Sequence, residues 1–154
     1  MAHPLRSGIR IPPGLWFVPL LVLGYSLERR YPSAFLPSAM ASVAGIALIA
    51  CGFALLAWAS WHFHRAGTAI DHHRPTSRLL TGGPFRWSRN PVYVALALVV
   101  AGLGVERNSL WIVLGVLPPL VLLHLHVVPR EEAYLARLFG PEYERYRASV
   151  RRWF

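Results

Sequence analysis

Apolar residues fill four runs, 13–27, 37–61, 91–105 and 109–128, and no Asp, Glu, Lys or Arg falls inside any of them. Crossing about 30 Å of hydrocarbon takes roughly 20 helical residues at 1.5 Å each. The second and fourth runs meet that length. The first and third are short, so they must draw on their flanks, meet a thinned bilayer, or form a hairpin that crosses incompletely. The pattern predicts an all-α fold, an integral membrane helical bundle of about four transmembrane helices. A single domain, 1–154, would also carry a polar loop at 62–90 and a tail at 129–154 containing an amphipathic helix.

The tail pattern is helical through Leu135, Leu138 and Phe139, is interrupted at Gly140-Pro141, and resumes with Tyr143, Tyr146 and Val150 at i, i+3 and i+7. Asn90 followed by Pro91 reads as a helix start, with Asn capping and Pro at the first helical position.

Composition agrees with a lipid environment: 55% of the 154 residues are hydrophobic and only 15% are charged, against about 25% charged in soluble domains. The single cysteine, Cys51, excludes an internal disulfide framework and any Cys-pair metal site. The net charge of +9 comes entirely from arginine, since the chain has no lysine. With four spans, 13 of the 16 arginines fall on the side shared by both termini and the middle loop, leaving Arg29, Arg30 and Arg107 opposite. The positive-inside bias then puts both termini in the cytoplasm, with the chain in the inner (plasma) membrane of a bacterium. Arginines at membrane ends pair with anionic headgroups, so membrane lipids explain the charge without nucleic acid. Arg6 and Arg10 before the first run imitate a signal peptide, but residues 24–29 offer no small-x-small cleavage site, so a retained span is expected.

Two cytoplasmic segments carry the polar chemistry. The loop is rich in turn formers and holds His62, His64, His72 and His73, ending in the run Gly-Gly-Pro-Phe-Arg-Trp-Ser-Arg-Asn-Pro-Val-Tyr at 82–93. The tail opens on Arg130-Glu131-Glu132. His124 and His126, at the cytoplasmic end of the fourth run, are functional candidates by position, because ionisable groups inside a membrane are costly. Their i, i+2 spacing turns them to different helix faces, so they form no metal pair. No metal is expected. His124 precedes Glu131 by two α-helical turns if the helix continues through Pro129, which makes it a candidate pocket residue.

The run at 78–93, the hydrophobic hairpin after it, Glu131-Glu132, and Phe139-Gly140-Pro141-Glu142-Tyr143-Glu144-Arg145-Tyr146 together resemble the isoprenylcysteine carboxyl methyltransferases and phospholipid N-methyltransferases, integral membrane enzymes. The resemblance covers roughly residues 64–153 and implies S-adenosylmethionine held at the cytoplasmic side by the loop and the Glu pair. Carried over by motif, the cofactor-binding residues are Leu79, Leu80, Gly83, Phe85, Arg89, Asn90, Pro91, Tyr93 and Glu131, with Glu131 taking the cofactor's ammonium. Asn90, where the family has His, matches the phospholipid-methylating branch better. Val127 stands where carboxyl methyltransferases have a substrate-contacting Arg, which disfavours a carboxylate acceptor.

The chemistry of the side chains is compatible. S-adenosylmethionine needs a carboxylate for its ammonium, a cation or N–H for its carboxylate, and an aromatic wall for adenine. Glu131, Arg89, and Phe85 or Trp87 supply those types. Gly82-Gly83 neither follows a strand pattern nor fits the dinucleotide fingerprint. His124, Glu132 and Arg89 are the catalytic candidates, the first two as proton acceptors for an amine substrate. The implied activity is methyl transfer to a lipidic acceptor, a phospholipid amine or an isoprenylcysteine-like carboxylate.

Simpler roles exist for the same residues. Acids in a first helical turn complement the helix dipole, Arg86 and Arg89 suit headgroups, and Trp87 and Tyr93 suit an aromatic belt. A non-catalytic membrane anchor or assembly protein derived from this family is therefore the alternative. A sterol-reductase-like enzyme is disfavoured by the short chain. A proton-coupled transporter is disfavoured because no acid lies inside a span.

Overall fold

The computed structural model describes residues 12–67 and 78–154, and every regular element among them is helical. A 3₁₀ turn, Pro13–Trp16, leads into α1 (Phe17–Arg30), followed by α2 (Ser38–Arg65), a 3₁₀ turn at Gly83–Arg86, and α3 (Pro91–Glu106). The returning arm runs through α4 (Leu110–Leu114), α5 (Leu117–Leu122), a π-helical turn (Leu123–Val127) and α6 (Val128–Phe139), and α7 (Pro141–Ser149) follows. His72, His73, Arg6 and Arg10, singled out from the sequence, lie outside the described residues.

Two helical runs are long and apolar enough to cross a membrane, Ser38–Arg65 and Leu110–Phe139, whereas Pro91–Glu106 is shorter. At 1.5 Å per residue, α2 is about 42 Å long and α3 about 24 Å. The helix of the second run extends four residues past the expected 37–61, so His62 and His64 sit on its last turn and not in a loop. The fourth run is helical beyond 128, broken only at Gly115-Val116, where the prolines 118 and 119 that start α5 cannot continue the preceding hydrogen-bond ladder.

The α2–α3 contact is made by small residues. The buried positions of α2 are Ala41, Gly45, Gly52 and Ala59, and offsets of 4, 11 and 18 from Ala41 are near-multiples of 3.6, one narrow stripe. A Cβ on Gly45 would stand 2.5 Å from the Glu106 Cα, so only glycine lets the two backbones approach this closely. Outside the stripe, Val43, Ile46, Phe53, Trp58 and Trp61 are exposed, as expected of a helix whose outer surface meets lipid rather than water.

One end of the bundle is closed by polar contacts. Asn108 adopts a left-handed conformation (φ +51°) after α3. Its Oδ1 accepts from the Phe35 and Leu36 amides at 3.0 Å, while Nδ2 donates to the Leu36 carbonyl at 2.7 Å. Glu28 accepts from the Ser33 amide at 3.0 Å and the Ser33 hydroxyl at 2.5 Å. The Ser109 and Ser33 hydroxyls, then the Ser33 amide, hold the Glu28 carboxyl below its ordinary range. The candidate site lies at the other end, where α2, the Gly83–Arg86 turn, α6 and α7 meet.

Candidate functional site

Pro91 starts α3 and is buried, and it fixes the direction in which Tyr93 leaves the first turn. Tyr93, 6% exposed, packs with Val127 and Val128 in the larger apolar cluster. Its hydroxyl donates to Glu131 Oε1 at 2.8 Å, across 38 residues of sequence. Glu131 is in the first turn of α6, so the hydrogen bond orients a carboxylate already favoured there by the helix dipole.

Next to this pair is a cluster of opposite charges. Glu132 is 8% exposed, and both of its oxygens are taken. Arg89 Nη2 lies 2.9 Å from Oε1, Arg152 Nε donates to Oε1 at 3.1 Å, and Arg152 Nη2 donates to Oε2 at 2.7 Å. Two guanidiniums on one carboxylate leave the cluster with one net positive charge. A proton acceptor at Glu132 would first have to give up these bonds, which hold its charge in place. Arg89 also donates Nη1 to the Arg147 carbonyl at 3.0 Å, and its buried Nε has no hydrogen-bond partner among the described residues.

The chain after α7 is laid over the loop as an extended strap. The Arg89 amide donates to the Arg151 carbonyl at 3.0 Å. Asn90 Nδ2 and the Ser88 hydroxyl both donate to the Arg152 carbonyl, at 2.9 and 3.3 Å. Asn90 does occupy the N-cap position of α3, but its side chain makes no capping bond. It holds the strap, and the Asn90 amide is served by the Ser88 hydroxyl at 3.1 Å.

Leu79, Leu80 and Phe85 form the wall beneath α7, with Ala59, Phe63, Tyr143 and Tyr146. Phe63 meets Phe85 edge to face, centroids 5.3 Å apart, and Tyr146 donates to the Phe85 carbonyl at 2.8 Å. Burial, then the negative charge of Glu132, pushes the Tyr143 phenol up to about 12. Burial, then neighbouring Tyr143, also raises Tyr146. Gly83 has φ +57°, and a Cβ there would fall on the His62 ring. His62 Nδ1 is 3.0 Å from the Trp58 carbonyl, which can only accept, so Nδ1 is the donor in this contact.

His124 is placed differently from the expected position. The π-turn alters the helical phase, so seven residues no longer amount to two turns, and His124 is exposed, with its Nδ1 accepting from Trp153 Nε1 at 3.0 Å. The ring is thus turned toward Trp153, with Nδ1 occupied by the indole N–H. Sequence reasoning does not find Arg152, which by composition is one more arginine at a membrane end, or Trp153. Their partners lie 20 to 64 residues away, beyond any local pattern. Among the described residues no group of three or more His, Cys, Asp or Glu side chains is arranged to hold a metal ion.

The family model described as phospholipid methyltransferase matches residues 40–142. An uncharacterised protein of Haemophilus influenzae is 36% identical over 64 residues, 40% of this chain and 98% of that one. No solved structure matches. The matched span runs from the first turn of α2 to the start of α7 and takes in Tyr93, Arg89 and both glutamates, and this chain belongs to the phospholipid methyltransferase family.

Proposed function

We propose that the protein transfers a methyl group from S-adenosylmethionine to an acceptor that partitions into the membrane, a phospholipid amine in first place. The observation that carries this reading is the Tyr93–Glu131 hydrogen bond beside Arg89, which joins the run before the hairpin to the glutamates after it. The residues fit the cofactor's head group. Glu131 is a carboxylate for the ammonium, and the unfilled Nε of buried Arg89 is a donor for the carboxylate. When bound, S-adenosylmethionine supplies a methyl group on an already activated sulfonium.

The chain's own contribution is positioning and exclusion of water. Glu132 and His124 are both engaged by donors, so orienting the acceptor and stripping its water outweigh proton transfer through either group. Val127 is 2% exposed in an apolar cluster, which leaves no cation at that place for a carboxylate acceptor and favours an amine. Four spans, with both termini and the middle loop in the cytoplasm of a bacterial inner membrane, would put this end of the bundle on the side where the soluble cofactor is available.

The test is binding of S-adenosylmethionine, or its demethylated product, to purified protein in lipid. Glu131→Ala should weaken binding by about 1.5 to 3 kcal/mol, the range for a hydrogen bond to a charged group. Glu144→Ala, on an exposed face of α7, should leave it unchanged. Absence of binding by folded protein would favour the anchor reading. Native lipids with methyl-labelled cofactor would then identify the acceptor.

A further inference from the structure

We propose that the cleft between the Gly83–Arg86 turn and α7 is a binding site for a phosphodiester, separate from the Tyr93–Glu131 pair. The cleft has a volume of about 590 Å³ and is lined by Thr81, Arg86, Glu142, Arg145 and Ser149, with Tyr146 as its floor. The floor is rigid, because Tyr146 is buried and bonded to the Phe85 carbonyl. Arg145 is steadied by Nε donating to the Pro141 carbonyl at 3.4 Å, which leaves both terminal nitrogens for a ligand.

Charge is what points to the ligand. Elsewhere at this end, Arg89 and Arg152 share Glu132, and Arg147 has Glu144 at 3.7 Å. Arg86 and Arg145 line one cleft, and among the described residues neither has a carboxylate within ion-pair distance. Two guanidiniums brought to one concave surface repel each other until an anion lies between them. Glu142 subtracts one charge, so the lining totals one positive charge and matches a singly charged diester better than a dianionic monoester. The Thr81 hydroxyl adds a neutral donor for a phosphoryl oxygen.

The diester has two possible sources, the headgroup of a membrane phospholipid or a soluble compound. Trp87, next in sequence to Arg86 and 78% exposed, is the kind of side chain that sits at headgroup level. It favours the lipid.

The experiment titrates the full-length protein in neutral micelles with dihexanoyl phosphatidylglycerol, with glycerophosphoglycerol, and with uncharged dihexanoylglycerol, following tryptophan fluorescence and calorimetric heat. The phosphatidylglycerol should bind and the uncharged lipid should not. Arg86→Gln and Arg145→Gln should each weaken binding about tenfold, as expected for loss of one charge-assisted contact. Glu142→Gln should tighten it, and Arg137→Gln, an exposed arginine on α6, should leave it unchanged. Equal affinity for glycerophosphoglycerol assigns the site to a soluble diester, and a requirement for the acyl chains assigns it to a lipid. Both outcomes keep the phosphodiester site. Both Arg86→Gln and Arg145→Gln are exposed changes, and unaltered helicity confirms that folding is intact. Wild-type affinity in both variants, or an equal loss in Arg137→Gln, would overturn the proposal and leave only diffuse surface charge.

Discussion

Replacing Arg152 by alanine tests whether one side chain pins the strap to the candidate site. The change removes two charge-assisted hydrogen bonds, at 3.1 and 2.7 Å, from a glutamate whose side chain is 10% exposed. Breaking a buried ion pair costs about 3–5 kcal/mol. Two features lower that figure: Arg89 still neutralises Glu132, and the Arg152 side chain is 27% exposed, where solvent screens it. The expected cost is about 2 kcal/mol, roughly a 30-fold change in the strap's opening equilibrium. Glu132→Gln should cost more, because it leaves two guanidiniums facing each other with no compensating charge. The double variant should be less destabilised than the sum of the single ones, with a coupling of about 1.5–3 kcal/mol. Hydrogen exchange at the Arg89 amide reports the strap directly, since that amide donates to the Arg151 carbonyl. In Arg152→Ala it should exchange roughly 30-fold faster, while the amides of α2 and α3 keep their protection. An unchanged rate at Arg89, or equal loss throughout the bundle, would refute the pinning role.

Three further outcomes follow from the same geometry. Gly45→Leu should cost at least about 1–3 kcal/mol by overpacking, seen as a lower melting temperature in micelles, whereas Val43→Leu on the exposed face should be neutral. The neutral Tyr143 phenol contributes stability that is complete below its ordinary value of 10.0 and is lost as pH rises through about 12, because the unfolded tail ionises first. An ultraviolet titration should show late tyrosinate absorbance that falls by one tyrosine's share in Tyr143→Phe, the remainder including the likewise raised Tyr146. Once Cys51 is replaced, a cysteine at Ala34 should react with an impermeant reagent in intact cells and one at Ser149 should not. Reaction at Ser149 from outside would reverse the proposed topology.

What could be read from the sequence divides along a physical line. The lengths and apolar character of α2 and the α4–α6 arm, the start at Pro91 and the break at Gly140-Pro141 all follow from local chemistry, and each is present. Motif order links Tyr93 and Glu131, because the hairpin that brings them together is itself visible as an apolar pattern. The strap was not legible. The spacing makes Val150 the last position of a helical face, yet it lies in extended backbone after α7. Asn90 suits a cap by type and position, and its choice of the Arg152 carbonyl depends on a segment 62 residues away. Arginines near a membrane end are all alike by composition, so only the fold separates Arg152, half-buried and paired with Glu132, from exposed Arg151.

The π-turn at Leu123–Val127 gives this arm a particular kind of latitude. A π-turn accommodates one residue more than an α-helix over nearly the same rise, and it precedes Pro129, whose ring in a regular helix would press on the Leu125 carbonyl. The arm therefore carries a spare residue at the place where the wider turn relieves that clash. Shortening the chain by one residue there, together with Pro129→Ala, would restore a regular helix and leave Glu131 and Glu132 facing Tyr93 and Arg89. The same deletion within α6 would swing everything after it by about 100° and carry Tyr143 and Tyr146 off their wall. Chain length in this hairpin is thus adjustable at one turn, and fixed on the glutamate side of it.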